Sequence, residues 1–163
     1  MLIPFFAGIL LITILDQAAK LFAVGLFVQY GSTAPQLIDG VTNIPLFKDV
    51  FHFTYVENPG AGWGIFSDHT WLLTIVTFVV IIAAVTYMVV KRPANRLLVT
   101  GVTFMIGGAV GNLIDRVRLG YVIDFFDFTL IDFPVFNVAD CFITVGAIIF
   151  VIYVIFFSDK KEK

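Results

Sequence analysis

Cysteine is nearly absent. Cys141 stands alone, so no internal disulfide can form and thiols say nothing of the redox compartment. Histidine is scarce as well. His52 and His69 lie far apart, and neither Cys-x-x-Cys nor His-Glu-x-x-His occurs, which argues against metal catalysis. Charge is thin: 13% of the 163 residues are charged, against roughly 25% in a soluble domain. The net charge of −2 and the lack of a long basic run leave no case for a nucleic-acid partner. No Lys or Arg precedes Lys20, so the basic region of a cleavable leader is missing. The first apolar run also continues past where cleavage would fall. It is expected to be a retained transmembrane helix.

What is present is hydrocarbon. Hydrophobic residues make up 60% of the chain, with 19 Phe among them, and mean hydropathy is +0.99. That composition predicts an integral membrane protein, and the length suits one domain, residues 1–163. Four spans are expected, at about 2–28, 71–90, 97–113 and 138–157, each near the length a bilayer needs. Between the first two, residues 29–69 form the longest polar segment. Phe51 to Val56 is aromatic and β-branched, which reads as a strand. Glu57-Asn58-Pro59-Gly60-Ala61-Gly62-Trp63-Gly64 follows with turn chemistry. This small β element is expected to rest on the membrane, with Trp63 and Phe66 at the interface. Taken alone, Asn58 reads as a turn residue rather than a ligand.

Basic residues set the orientation. Lys91, Arg92 and Arg96 fill the short loop between spans two and three, and Lys160, Lys161 and Lys163 sit in the C-terminal tail. The positive-inside rule makes both regions cytoplasmic, and four spans bring the N-terminus inside too. Arg116 and Arg118 run slightly against this, beside Asp115. With a rise of about 1.5 Å per residue, Asp16 then lies roughly 20 Å up span one and Lys20 roughly 27 Å up. Span three leaves near Asn112 and Asp115, and span four enters at Asp140. Polar residues far apart in sequence therefore converge on the outer boundary of the bilayer. The convergent set is Asp16, Lys20, Asn58, Asn112, Asp115, Arg116, Asp124, Asn137 and Asp140.

Charge in hydrocarbon is kept where it is paired, wet or used. Asp16 and Lys20 are four apart and can pair on one helix face, either to lock the bundle or to order a site. No serine has a histidine at a suggestive spacing, and Cys141 follows Asp140 on a helix, so their side chains diverge; nucleophilic catalysis has no base. Two carboxylates held together suit another mechanism. They share a proton, one taking a proton from water while the other donates to a carbonyl. Asp140 is one member. Asp115 or Asp124 is the other. Asp115 adjoins Arg116 and is expected to pair there, whereas the apolar setting Val122-Ile123-Asp124-Phe125-Phe126 favours a shared proton on Asp124. Asp127 and Asp132 read as solvated loop residues.

Five segments, in order, cover nearly the whole chain and resemble the lipoprotein signal peptidase (signal peptidase II) family. They are Asp16-Gln17-x-x-Lys20, Asn58-Pro59-Gly60-Ala61, Gly107-Gly108-Ala109-x-Gly111-Asn112-Leu113-Ile114-Asp115-Arg116, Val122-Ile123-Asp124-Phe125 and Phe136-Asn137-Val138-Ala139-Asp140. The resemblance implies an all-α membrane protein, a four-helix transmembrane bundle with a small extracytoplasmic β-cradle. It implies an aspartyl endopeptidase with Asp124 and Asp140 as its catalytic pair. Asn58, Gly60, Asn112, Arg116, Asn137, Asp16 and Lys20 would support the site, and Asp115 would be structural. The implied substrate is a prolipoprotein, cut just before a cysteine already carrying diacylglycerol, in the bacterial cytoplasmic membrane. Membrane lipids would be partners, globomycin-type cyclic peptides would inhibit, and neither metal nor organic cofactor would be needed. Gly62 departs from the family, which usually has alanine there.

Competing readings are a small transporter or channel subunit and a structural scaffold. The inner halves of spans two, three and four offer the first no continuous polar path, and the second leaves the outer polar set unexplained. A presenilin-type protease lacks its Gly-x-Gly-Asp signature, because Asn112-Leu113 follows Gly111.

Overall fold

The computed structural model describes residues 1–30, 35–37, 43–60, 69–131 and 133–157. Trp63, Phe66, Gly62, Asp132 and the basic tail lie outside the described residues.

Four helices are long and apolar enough to cross a membrane: α1 (Leu2–Phe27), α2 (Thr70–Lys91), α3 (Arg96–Leu119) and α4 (Val138–Phe157). Their surfaces divide by role. Only 11% of the apolar window is buried in α2 and in α4, against 44% in α3, so α3 is the inner helix. It packs on all three others. Small residues allow this. A Cβ added at Gly101 of α3 would sit 3.0 Å from the Gly146 carbonyl oxygen of α4, so the two backbones touch. Outward, α2 presents Trp71, Ile75, Phe78 and Val79, and α4 presents Val151, Ile155 and Phe156. Apolar surface on this scale, on helices of bilayer length, is what lipid covers.

Helix ends follow local chemistry. Asn95 caps α3, its side-chain oxygen accepting from Leu97 N (2.9 Å) and Leu98 N (3.3 Å). Gly120, at φ 84°, closes α3 in the left-handed conformation that glycine adopts without strain. Span three thus ends at Leu119, not Leu113. The charged stretch after Leu113 continues as helix because Asp115 is buried against α1 rather than solvated.

Two antiparallel sheets sit between helices in the chain. Strands β1 (Val28–Tyr30) and β2 (Pro35–Leu37) pair with each other. Strands β3 (Asn43–Phe47), β4 (Phe51–Asn58) and β5 (Val122–Asp127) form the second sheet, with β4 in the middle. Strand β5 comes from outside the 29–69 segment, so the β element has a member the sequence reading did not include. Its register sets Asp124 opposite Val56 and Val122 opposite Asn58. The sheet is tied to the bundle by a buried cluster of Ala23, Val24 and Phe27 from α1 with Ile123 and Phe125 from β5. Phe53 stacks on Phe125 with ring centroids 5.5 Å apart.

Candidate active site

Helix α4 begins with a reciprocal cap. The Asn137 side-chain oxygen accepts from Asp140 N (3.0 Å), and Asn137 N donates to Asp140 Oδ2 (3.1 Å). This satisfies two backbone donors at once and fixes the Asp140 rotamer. Asn137 faces the sheet as well. Its amide nitrogen donates to Asp124 Oδ1 (2.6 Å), Asn112 Oδ1 (3.1 Å) and the Ile123 carbonyl (3.3 Å). A single, wholly buried amide therefore joins both aspartates.

The other oxygens are held similarly. Asn58 Nδ2 donates to Asp124 Oδ2 (2.8 Å), while Asn58 Oδ1 accepts from Gly60 N (3.0 Å). Asn58 is both the turn residue its sequence suggested and a direct partner of Asp124. Asn112 Nδ2 donates to Asp140 Oδ1 (2.9 Å). Arg116 donates to the Gly60 carbonyl (3.1 Å), fixing the corner at the end of β4. The Asp124 carboxyl is pushed up to about 7, first by burial and then by the neighbouring Asp140 carboxylate, against the lowering pull of its Asn58 and Asn137 donors. Asp124, Asp140, Asn58, Gly60, Asn112 and Arg116 all line one cleft of about 360 Å³, walled by Val122, Phe133, Pro134, Val135, Phe136 and Ile143.

Three of the expected residues lie behind the cleft. Lys20 reaches Asp16 Oδ2 (2.9 Å), Asp115 Oδ2 (2.8 Å) and Asn112 Oδ1 (2.8 Å). Asp16 Oδ1 accepts from Ala139 N (2.9 Å), which brings α1 to the start of α4. A Cβ at Gly111 would land on the Asp16 carboxylate, so only glycine admits this close approach of α3 to α1. Asp115 takes its ion pair from Lys20, not from its neighbour Arg116, and accepts from Ile123 N (3.2 Å). That corrects the pairing expected from adjacency: on α3, successive residues point about 100° apart, so Asp115 faces α1 while Arg116 faces the cleft. Asp127 is a half-buried strand residue accepting from Thr54 Oγ1 (3.0 Å), not a solvated loop residue.

A family model described as Signal peptidase (SPase) II matches residues 8–156. The chain belongs to the signal peptidase II family. A lipoprotein signal peptidase of Clostridioides difficile (strain 630) is 40% identical over 156 residues, covering 94% of this chain and 96% of the relative. One from Caldanaerobacter subterraneus subsp. tengcongensis is 45% identical over 139 residues, covering 85% and 86%. A bacterial membrane enzyme solved by the in meso method superposes with a TM-score of 0.78 at 29% identity, covering 98% of this chain and 92% of that one. As a member of signal peptidase II the chain is a multi-pass membrane peptidase.

Gln17 stands in the first of the five motifs, but the sequence reading gave it no place in the site. Its amide nitrogen donates to Asp115 Oδ1 (2.9 Å) and the Gly111 carbonyl (3.2 Å), a further tie between α1 and α3. The signal was a polar residue in an apolar helix beside Asp16. The node role of Asn137 was also invisible, because β5 and α3 reach it only through the fold.

Proposed function

We propose that this signal peptidase II is an aspartyl endopeptidase that removes the signal peptide from diacylglyceryl-modified prolipoproteins, cutting before the lipidated cysteine. Asp124 and Asp140 are the catalytic pair. The observation that carries this is their shared cleft, with Asn137 bonded to both. A carboxyl raised to about 7 holds a proton in the neutral range, as a general acid must. The charged member takes a proton from water, whose oxygen attacks the scissile carbonyl carbon. The neutral member protonates the carbonyl oxygen as the tetrahedral species forms. On collapse the C–N bond breaks as the amine nitrogen takes a proton from the dyad and one hydroxyl of the tetrahedral species returns its proton there, so a carboxylic acid and a free amine leave and the dyad again holds one proton. The pair titrates as a unit through this cycle.

Asn58, Gly60 and Arg116 line the peptide path, and Asn112 and Asn137 hold the pair. The basic 91–96 loop supports a topology with both termini in the cytoplasm and the cleft at the outer leaflet of a bacterial cytoplasmic membrane. There the acyl chains stay in the bilayer while the peptide enters the cleft. Globomycin-type cyclic peptides would compete for the same space.

The test is a gel-shift cleavage assay with purified protein and two precursors, one carrying diacylglycerol and one unmodified. The proposal expects cleavage of the lipidated form, with the new N-terminus at the modified cysteine. Equal cleavage of both precursors contradicts the substrate assignment, and cleavage elsewhere contradicts the site assignment.

A further inference from the structure

The Asn112 and Asn137 amides each have two ways to sit, exchanging oxygen and nitrogen. Only one orientation of each gives both aspartates a donor. The choice is made behind the cleft. Lys20 Nζ has three N–H donors and meets three acceptors, Asp16 Oδ2, Asp115 Oδ2 and Asn112 Oδ1, at 2.8–2.9 Å. A turned Asn112 would aim its NH2 group at that ammonium and at Asn137 Nδ2. Donor would face donor twice in a site where Lys20 is 2% exposed and Asn137 wholly buried, which no buried network tolerates. Asn112 Oδ1 therefore faces Lys20, and Asn112 Nδ2 faces Asp140 Oδ1. The same oxygen accepts Asn137 Nδ2, which turns that nitrogen toward Asp124 Oδ1 and leaves Asn137 Oδ1 for Asp140 N.

We infer that Lys20 is the positioning residue of the dyad: from behind the cleft, through Asn112, it sets the direction of the amide donors to both Asp140 and Asp124. It touches neither aspartate's oxygens and no substrate. This rests on the dyad reading above and adds to it a reason for a buried cation in an apolar helix: that cation is the fixed end of the wiring.

The test is a double-mutant cycle on kcat between Lys20→Met and Asn112→Leu, using full-length protein and lipidated precursor. Each single change is expected to lower kcat by about 30-fold or more with KM within about 3-fold, because orientation at the dyad is lost and the peptide path is not. The double variant is expected to lose no more than about 3-fold beyond the worse single, the mark of two groups acting in series. Multiplying losses, or losses confined to KM, overturn the inference.

Lys20→Met strands two buried carboxylates, so folding is checked by monodisperse elution, and two further variants carry the test if it fails. Asn112→Asp keeps an acceptor for Lys20 but has no donor for Asp140; it is expected to lose kcat as far as Asn112→Leu. Lys20→Arg keeps a cationic donor and is expected to retain at least about a third of kcat. Wild-type kcat in Asn112→Asp, or a folded Lys20→Arg as poor as Asn112→Leu, overturns the inference. Asp124→Asn and Asp140→Asn run alongside. If these still cleave, the dyad reading has failed, whatever Lys20 does.

Discussion

Two polar clusters share one level of this membrane protein, and they are built in opposite ways. The cluster of Asp16, Gln17, Lys20 and Asp115 lies between α1 and α3 and is closed. Asp16, Lys20 and Asp115 are at most 2% exposed, and every Lys20 donor has an acceptor. The cluster of Asp124 and Asp140 opens onto a cleft of about 360 Å³, and the buried Arg116 Nε beside it has no hydrogen-bond partner among the described residues. Asn112 belongs to both. A saturated buried network adds rigidity and specifies one arrangement. An open one keeps room for a water and a peptide. The comparison teaches that charge in this bundle is held in two ways, saturated between helices and open to a cleft, with Asn112 bonded to Lys20 on one side and Asp140 on the other.

Breaking the two clusters should give opposite results. Asp140→Asn removes the carboxylate from the open cluster but keeps its shape. It is expected to cut cleavage by about 1,000-fold or more, while its NH2 group, set against the Asn112 Nδ2 or Asn137 N donor, lowers the thermal unfolding midpoint in detergent by less than loss of a buried ion-pair partner does. Asp16→Ala does the reverse to the closed cluster. It leaves Ala139 N without an acceptor and removes one of two anions from Lys20. Breaking one side of a buried ion pair costs about 3–5 kcal/mol, so the unfolding midpoint should fall steeply. An Asp16→Ala protein as stable as wild type would erase the distinction.

Titration sharpens it next. The folded Asp124 carboxyl lies at about 7, above its usual 3.8. Between those values the folded state binds the extra proton. The stabilisation from this group is full below 3.8 and is lost as pH rises toward 7. Wild type should therefore lose stability between pH 4 and 7, and Asp124→Asn should flatten that part of the slope in thermal scans. A general acid with this pKa also gives kcat/KM an alkaline limb near pH 7, falling about tenfold per unit beyond it. A profile flat from pH 6 to 9 would contradict the assignment of Asp124 as proton donor. The smallest effect is expected at Cys141, which is exposed on α4. Cys141→Ser should leave initial rates within about twofold; a large loss would revive nucleophilic catalysis.

Much of this was legible in the chain. The apolar runs show four helices, and α4 begins and ends where its run does. Polar residues falling at one expected depth point to a common cluster, and the fold brings Asp16, Lys20, Asn112, Asn137, Asp124 and Asp140 into one hydrogen-bonded network. Other features depend on contacts distant in sequence. Strand β5 is six residues whose strand character comes from pairing with β4, more than sixty positions earlier. Asn112, Asp115 and Arg116 sit three and four apart on α3, and their helical spacing was available. Which faced α1 and which the cleft depended on Gly111 closing onto Asp16. Adjacency misled for Asp115, because in a helix the neighbour in sequence is not the neighbour in space.

The central claim is that Asp124, not Asp115, is the partner of Asp140. The most direct measurement is the cleavage rate of Asp124→Asn beside Asp115→Asn, on one lipidated precursor, with both proteins shown to be folded. The account predicts that Asp124→Asn is inactive and that folded Asp115→Asn still cleaves. Activity surviving in Asp124→Asn and vanishing in folded Asp115→Asn would contradict it.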